Sequence, residues 1–373
     1  MRQPALALGI ASIAFCPGLL AKSFEAEGSD LLMGVGAREI AMSGAVSAGI
    51  DNAYSMYWNP AGLSKLRKTE FSVSRSLRDQ IDPVSFIGVA TPFKSNWFGG
   101  LNNAIGIAWV PRFHAIANGR FEKDDIANIF LQFSVPEIPE GFDGTIDSKT
   151  RDTRLTFATS PVKHPQLSLG FSVAWVKCIS NFCGTSLNDP ENYQIATTDA
   201  TAFALNIGLQ YQLTKTLTLA ANIKDINTKI NVDTIVEDNN GIRTENFSTA
   251  FPSDLTLAIN WVTSKNIQVE IDYQKLSGNY GQSPIDFHLL RTGLEYSAKH
   301  VQYRIGTLTP LKLTSGITGN IMNDLPAPIA PTAGIGGKYK NLRLELAIFA
   351  NPIMSYQSQS IYPTAEASLN AQF

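Results

Sequence analysis

The chain has 373 residues and a formal charge of −2, with 17% charged residues and a mean hydropathy of −0.02. Soluble domains carry roughly 25% charged residues, and no block of five like charges occurs here, which argues against a nucleic-acid partner. Beyond the N-terminus no stretch approaches the roughly 18 uninterrupted apolar residues of a membrane helix, so any crossing of a bilayer falls to a closed barrel.

The chain opens MRQPALALGIASIAFCPGLLAKS, with a basic Arg2, an apolar run from Ala5 to Leu20 broken by Gly9, and small residues around Ala21. That is the layout of a secretory signal peptide over residues 1–21. Cys16 falls inside it, and the bulky Phe15 before it argues against a lipoprotein cysteine. Residues 22–68 follow, dense in Gly, Ala and Ser between Gly34 and Gly49, a composition that lets backbone pack closely in a confined space. Within Trp58-Asn59-Pro60-Ala61-Gly62, Asn59 is placed to cap a helical turn and Pro60 to supply its fixed φ.

From residue 69 onward the pattern is alternation. Ala365, Ala367, Leu369, Ala371 and Phe373 interleave with Thr364, Glu366, Ser368, Asn370 and Gln372, and Ile267, Val269, Ile271 and Tyr273 with Gln268, Glu270, Asp272 and Gln274. One face is apolar and the other charged or polar, which suits a lipid-facing wall around a wet lumen. Segments of this kind near 69–76, 84–92, 103–112, 153–162, 166–177, 201–212, 216–226, 254–263, 266–275, 287–297, 301–309, 331–339, 342–350 and 362–373 make fourteen, an even number. The connections alternate between tight turns, such as Lys340-Asn341, and long loops at 113–152, 178–200, 227–253 and 310–330, with 93–102 as a long exception. With the tight turns on the periplasmic side, both ends of the chain fall there too.

The predicted fold is thus an all-β, 14-stranded antiparallel transmembrane β-barrel over 69–373. Such a barrel is wider than its own side chains fill, so 22–68 is expected to stand in the lumen as a plug of short helices. Arg291, Glu295 and Arg304, on the polar face, are placed to hold it through ion pairs. In the 113–152 connection, Ile126, Ile129, Phe130 and Phe133 recur at helical spacing after an acidic start. They read either as a groove for a greasy ligand or as a loop helix packed on the rim. Cys178 and Cys183 read either as a disulfide or as two free thiols, without metal-site spacing.

Enzyme signals are scarce. His114, His164, His288 and His300 are isolated, there is no Gly-x-Ser-x-Gly elbow, and Gly334-Ile335-Gly336-Gly337-Lys338 lacks phosphate-loop spacing. No enzyme activity, cofactor or metal is expected.

GVGAREIAMSGAVSAGIDNAYSMYWNPAGL, Gly34 to Leu63, resembles the N-terminal motif of the PorV/PorQ family and, more distantly, the FadL long-chain fatty-acid transporters. The match is specific through Trp58, Asn59, Pro60, Ala61 and Gly62, and departs at Ile40 and Ser43. The resemblance implies an outer-membrane protein with a hatch in its barrel. By the fatty-acid transporters it implies passive uptake of hydrophobic compounds, such as long-chain fatty acids, through a wall gap that Gly106 and Pro111 would open. By the PorV/PorQ proteins it implies instead a partner for secreted or surface-attached proteins. Expected partners are the lipid bilayer, the barrel-assembly machinery, and hydrophobic small molecules or secreted proteins. A terminal aromatic on a membrane strand resembles the signal read by the assembly machinery, so deleting Phe373 is expected to reduce the folded barrel in outer-membrane fractions; undiminished assembly would refute that role.

Overall fold

A computed structural model describes residues 22–29, 33–77, 81, 83–94, 100–123, 125, 127–131, 133 and 140–373; the expected signal peptide lies outside them. In chain order the strands are β1 (Ser23–Glu27), β2 (Glu70–Ser76), β3 (Val84–Phe93), β4 (Gly100–Glu122), β5 (Gly141–Pro161), β6 (Leu167–Ser186), β7 (Asp189–Gln212), β8 (Leu217–Lys224) and β9 (Lys229–Asp238). They continue with β10 (Gly241–Ala250), β11 (Ser253–Ser264), β12 (Ile267–Tyr280), β13 (Ser283–Ser297), β14 (Val301–Ser315), β15 (Gly319–Asn320), β16 (Ala330–Tyr339), β17 (Leu342–Ala350) and β18 (Pro363–Gln372). The helices are α1 (Ala37–Ala41), α2 (Ser55–Trp58), α3 (Ala127–Leu131) and α4 (Pro352–Ser358).

Fourteen strands, β2 to β8, β11 to β14 and β16 to β18, pair antiparallel in succession, and β18 returns to β2 with Leu369 opposite Val73. Closure leaves no sheet edge in the wall. Along each strand exposed apolar residues alternate with buried polar ones: on β7, Phe203, Leu205, Ile207 and Leu209 are exposed while Asn206 and Gln210 are buried. Phe203 is 73% exposed and Leu344 63%, an arrangement stable in water for scattered residues but not for a continuous belt. The belt suits hydrocarbon, and the chain is built inside out relative to a soluble β-sandwich.

The expected strands are all present, but several run further than the apolar alternation reaches, β4 to β7 most of all. β4 extends to Glu122 and β5 begins at Gly141, while β6 and β7 meet across the short Leu187-Asn188 turn, so most of 113–152 and 178–200 is ladder rather than loop. The outer halves carry residues such as Thr145, Asp147, Lys149 and Arg151 on the outward face; once that face leaves the apolar belt, the alternation that marks a membrane strand is lost. The 227–253 loop is likewise a hairpin, β9 on β10. Phe373 is at the tight-turn end as expected, its N donating to Thr69 O, but the first described residues are not: β1 pairs with the outer extension of β4, Ser23 opposite Asn118, and Lys22 Nζ bonds Asp125 at 2.8 Å.

Residues 33–66 are almost entirely buried and contact inward-facing groups of strands all round the barrel. Gly36 N donates to Glu366 on β18, Ala53 N to Glu70 on β2, and Thr332 Oγ1 on β16 donates to Ala41 O. Asn59 caps the turn Pro60–Lys65 by accepting from Ala61 N at 3.1 Å, and its amide also donates to Leu209 O on β7. Arg38 bonds Glu295, Arg304 joins Glu295 to Glu345, and Arg291 donates to Ser43 O, so the three wall residues do meet this segment or its ion pairs.

The fit to the wall needs glycine where the segment touches it. A Cβ at Gly170 of β6 would overlap the Pro60–Ala61 backbone, which cannot move without breaking the Asn59 cap. Gly170→Val is therefore expected to destabilise the folded barrel by about 1–3 kcal/mol or more, as overpacking does, read as a lower midpoint in urea unfolding from lipid vesicles; an unchanged midpoint would show that the segment yields freely.

Candidate functional site: an apolar cavity over a charged floor

β4 carries a register shift that opens onto a cavity. The β3–β4 ladder runs from Phe93–Asn103 to Ile87–Trp109 and stops there. On the other edge, Pro111 pairs with Arg151 and Phe113 with Thr150, so Arg112 is an extra residue. Proline has no N–H for the ladder, and a bulge is where a strand tolerates that. The consequence is that Val110 through Ala115 are buried on both faces, and the edge of β4 beyond β3 is taken over by β1 and by Ser29 N, which donates to Pro111 O at 3.1 Å. Gly106, by contrast, sits inside the continuous ladder opposite Ala90, with Met56 of α2 where its side chain would be. Of the two predicted kink residues, the shift belongs to Pro111.

Arg112 forms a bidentate pair with Asp225, at 2.8 and 2.7 Å, and its guanidinium lies 3.8 Å from the Phe251 ring centroid. Arg154 holds Asp152 through two bonds of 2.8 Å, Lys224 Nζ lies 2.7 Å from Asp254, and Arg291 donates to Gln274 at 2.8 Å with its guanidinium near the Trp58 ring. Tyr57 and Trp58 complete this charged layer from the N-terminal segment, and both are buried. Above it stand Phe130, Leu276, Ile285, Phe287, Leu313, Ile321, Ile353 and Tyr356, around a cavity of about 110 Å³. The outer wall is an aromatic cluster in which Phe113 meets Phe130 and Phe133 at 5.3 and 4.9 Å, and Phe133 meets Tyr280 at 5.4 Å. Aromatic faces give such a wall large apolar area and fixed geometry. At the outer rim His114 Nε2 lies 2.9 Å from Asp147, and this hydrogen bond keeps the Asp147 carboxyl below its usual range.

Of the predicted groove residues, Phe130 lines the cavity and Phe133 is buried behind it. Ile126 and the Ile129 side chain lie outside the described residues, and the helix itself, α3, is five residues long. The proposed Cys178–Cys183 disulfide is not made: Cys178 is a buried free thiol. Both cysteines lie on β6 and an odd separation turns them to opposite faces, about 16 Å apart along a strand rising roughly 3.3 Å per residue, well beyond the reach of a disulfide. Arg112, Lys224, Asp225 and Asp254 were not singled out from sequence. The available signal was Lys224-Asp225 closing a strand, where Asp225 takes a positive φ of 55° that only a few residue types accept. Among the described residues no His/Cys/Asp/Glu group forms a metal centre.

No family model matches the chain, and no curated protein matches its sequence. Solved structures do. The Pseudomonas putida toluene transporter TodX superposes with a TM-score of 0.58 at 14% identity, covering 92% of this chain and 99% of its own. A TodX deltaS2S3 mutant, described as a monoaromatic hydrocarbon channel, gives 0.56 at 14% identity, covering 91% and 97%. A Pseudomonas aeruginosa FadL homologue gives 0.55 at 10% identity, covering 95% and 99%. At these identities the likeness is one of fold: this chain is built on the 14-stranded barrel of these transporters.

The charged floor yields a stability test. Arg112→Met leaves the Asp225 carboxylate buried without its bidentate partner and is expected to cost about 3–5 kcal/mol in urea unfolding. Arg112→Met with Asp225→Asn, which keeps a residue tolerant of positive φ, is expected to recover most of it. Equal losses in the single and double variants would mean that the pair is not what holds β4 inward.

Proposed function

We propose that this protein is a non-enzymatic outer-membrane channel for passive uptake of hydrophobic compounds. The observation that carries the reading is an apolar cavity at the outer end of a barrel, closed beneath by a layer of ion pairs and aromatic rings. A water-filled pore would leave a polar path from end to end; here a hydrophobic solute would find a dry site at the outer end and a desolvated, charged barrier below it. The barrel fold shared with the toluene transporter and the FadL homologue supports the same reading. The N-terminal segment then acts as the plug of the lumen, and the outward apolar belt sets the barrel in the bilayer. The route out of the cavity would be sideways, where β3 leaves β4 and β1 covers the edge. Moving β1 would break its five residue pairs with β4 without parting any ladder of the closed wall.

Cells producing the barrel are expected to accumulate labelled toluene across an intact outer membrane faster than cells without it. Ile285→Trp, which fills the cavity, should lower that rate about tenfold, the equivalent of roughly 1.4 kcal/mol, at unchanged barrel abundance. Equal rates with and without the protein would overturn the reading. Co-purification of secreted proteins with the barrel would favour the secretion-partner alternative.

A further inference from the structure

On the outer surface of the wall, Arg151 of β5 stands directly opposite Lys177 of β6, and both point away from the lumen, since Asp152 and Val176 beside them are buried inside. Like charges roughly 5 Å apart across a ladder repel each other. Among the described residues no carboxylate pairs with Arg151. Lys177 reaches Asp199 at 3.4 Å, but that pair is exposed and worth little in water. Lys149, two residues further out on the same face of β5, adds a third cation. On β13 and β14 the outward charges are arranged differently, with Lys312 and His288 sharing Asp286.

The rows of outward residues across β4 to β7 change character with height. Ile107, Leu155, Val173 and Leu205 lie side by side, all exposed. The next row outward is Trp109, Thr153, Trp175 and Phe203, with Trp175 52% and Phe203 73% exposed. The row above that is Pro111, Arg151, Lys177 and Thr201. Indole and phenyl rings at the edge of an apolar belt mark the level of lipid head groups, so the two cations stand where head-group phosphates lie.

We propose that Arg151 and Lys177, with Trp175 and Phe203 beneath them, form a binding site on the outside of the wall for a phosphate-bearing lipid of the outer leaflet. A phosphate between the two cations removes their repulsion, and the guanidinium offers it paired donors. The acyl chains then run down over the aromatic row and the aliphatic row below it. The acids nearby select for this direction of approach: Asp147 and Asp199 are exposed further out on β5 and β7, where they repel an acidic protein or nucleic acid arriving from solution and leave a lipid arriving within the leaflet unopposed. The site depends on the placement of the barrel in a membrane and not on what passes through its lumen.

Native mass spectrometry of the full barrel released from uncharged detergent tests this with diphosphoryl lipid A, the same lipid stripped of its phosphates, and inorganic phosphate. Lipid A is expected to remain bound, and the phosphate-free lipid to bind about tenfold more weakly or worse, as loss of contact with two cations predicts. Arg151→Gln with Lys177→Gln should weaken lipid A binding by about the same factor, with the heat-modifiable gel shift of the folded barrel unchanged. Lys275→Gln with Lys312→Gln removes the same charge from the outward face of β12 and β14 and should leave lipid A binding as it was. Equal binding of the two lipids by the unaltered barrel overturns the proposal whatever the variants do. So does full affinity in the Arg151 and Lys177 variant, or an equal loss in both variants. Millimolar inorganic phosphate should not displace the lipid; complete displacement would make this a site for free anions and would also overturn the proposal.

Discussion

The structure depends on one constraint: backbone enclosed by a barrel must find hydrogen-bond partners away from bulk water. The strands meet it with carboxylates. Asp272 accepts from Val46 N and Ser47 N at 3.3 and 3.0 Å, and Glu270, two residues away on the same face of β12, accepts from Ala48 N and Gly49 N at 2.6 and 3.0 Å. Glu70 and Glu366 do the same for Ala53 and Gly36. A segment made of helices of four or five residues and turns leaves many N–H groups without partners of its own, and charged acceptors form the strong bonds that compensate. The density of small residues between Gly34 and Gly49 follows, since only slim backbone comes within reach of short Asp and Glu side chains.

Charge is accordingly sorted by height. Next to the N-terminal segment, carboxylates meet backbone, and arginines such as Arg304 bridge the carboxylates that remain. Level with Tyr57 and Trp58, cations and anions are matched pairwise. Above that layer the inward residues turn apolar: Leu276 follows Gln274 and Asp272 along one face of β12, and Leu289, Phe287 and Ile285 succeed Arg291 along β13. One strand therefore carries a structural acid, a polar spacer and a cavity-facing apolar residue at successive inward positions, and the change of character marks where the enclosed segment ends and the cavity begins.

Much of this was legible in the sequence, for reasons that can be stated residue by residue. Alternation of period two marked all fourteen wall strands because an outward apolar face is required wherever the wall crosses the belt. It went silent at Asp147 and Lys149, where the same ladder continues with polar residues on both faces. Asn59 and Pro60 were readable as a capped turn because capping is local. The cavity was not readable, because its walls come from β8, β11, β12, β13, β14 and α4, and no local pattern records that Leu276, Ile285 and Tyr356 meet. Phe130 was found through helical spacing, but the helix is a single turn, and Phe130 owes its place to Phe113 and Phe24 beneath it.

The bulge at Pro111 ties the wall to the cavity. One missing N–H ends regular pairing on that stretch of β4, and three effects follow. The strand edge is released from β3 and must be covered by β1; the Pro111 carbonyl turns to Ser29; and Arg112 is delivered inward to Asp225, where its guanidinium packs on Phe251. Asp225 in turn is held by its backbone N–H, which donates to Asn206 Oδ1 at 2.9 Å on β7. The covering segment and the cavity floor are therefore linked through two adjacent residues of β4, Pro111 and Arg112. Phe251 and Arg112 thus bear on the same short stretch of β4 that Ser29 and β1 cover.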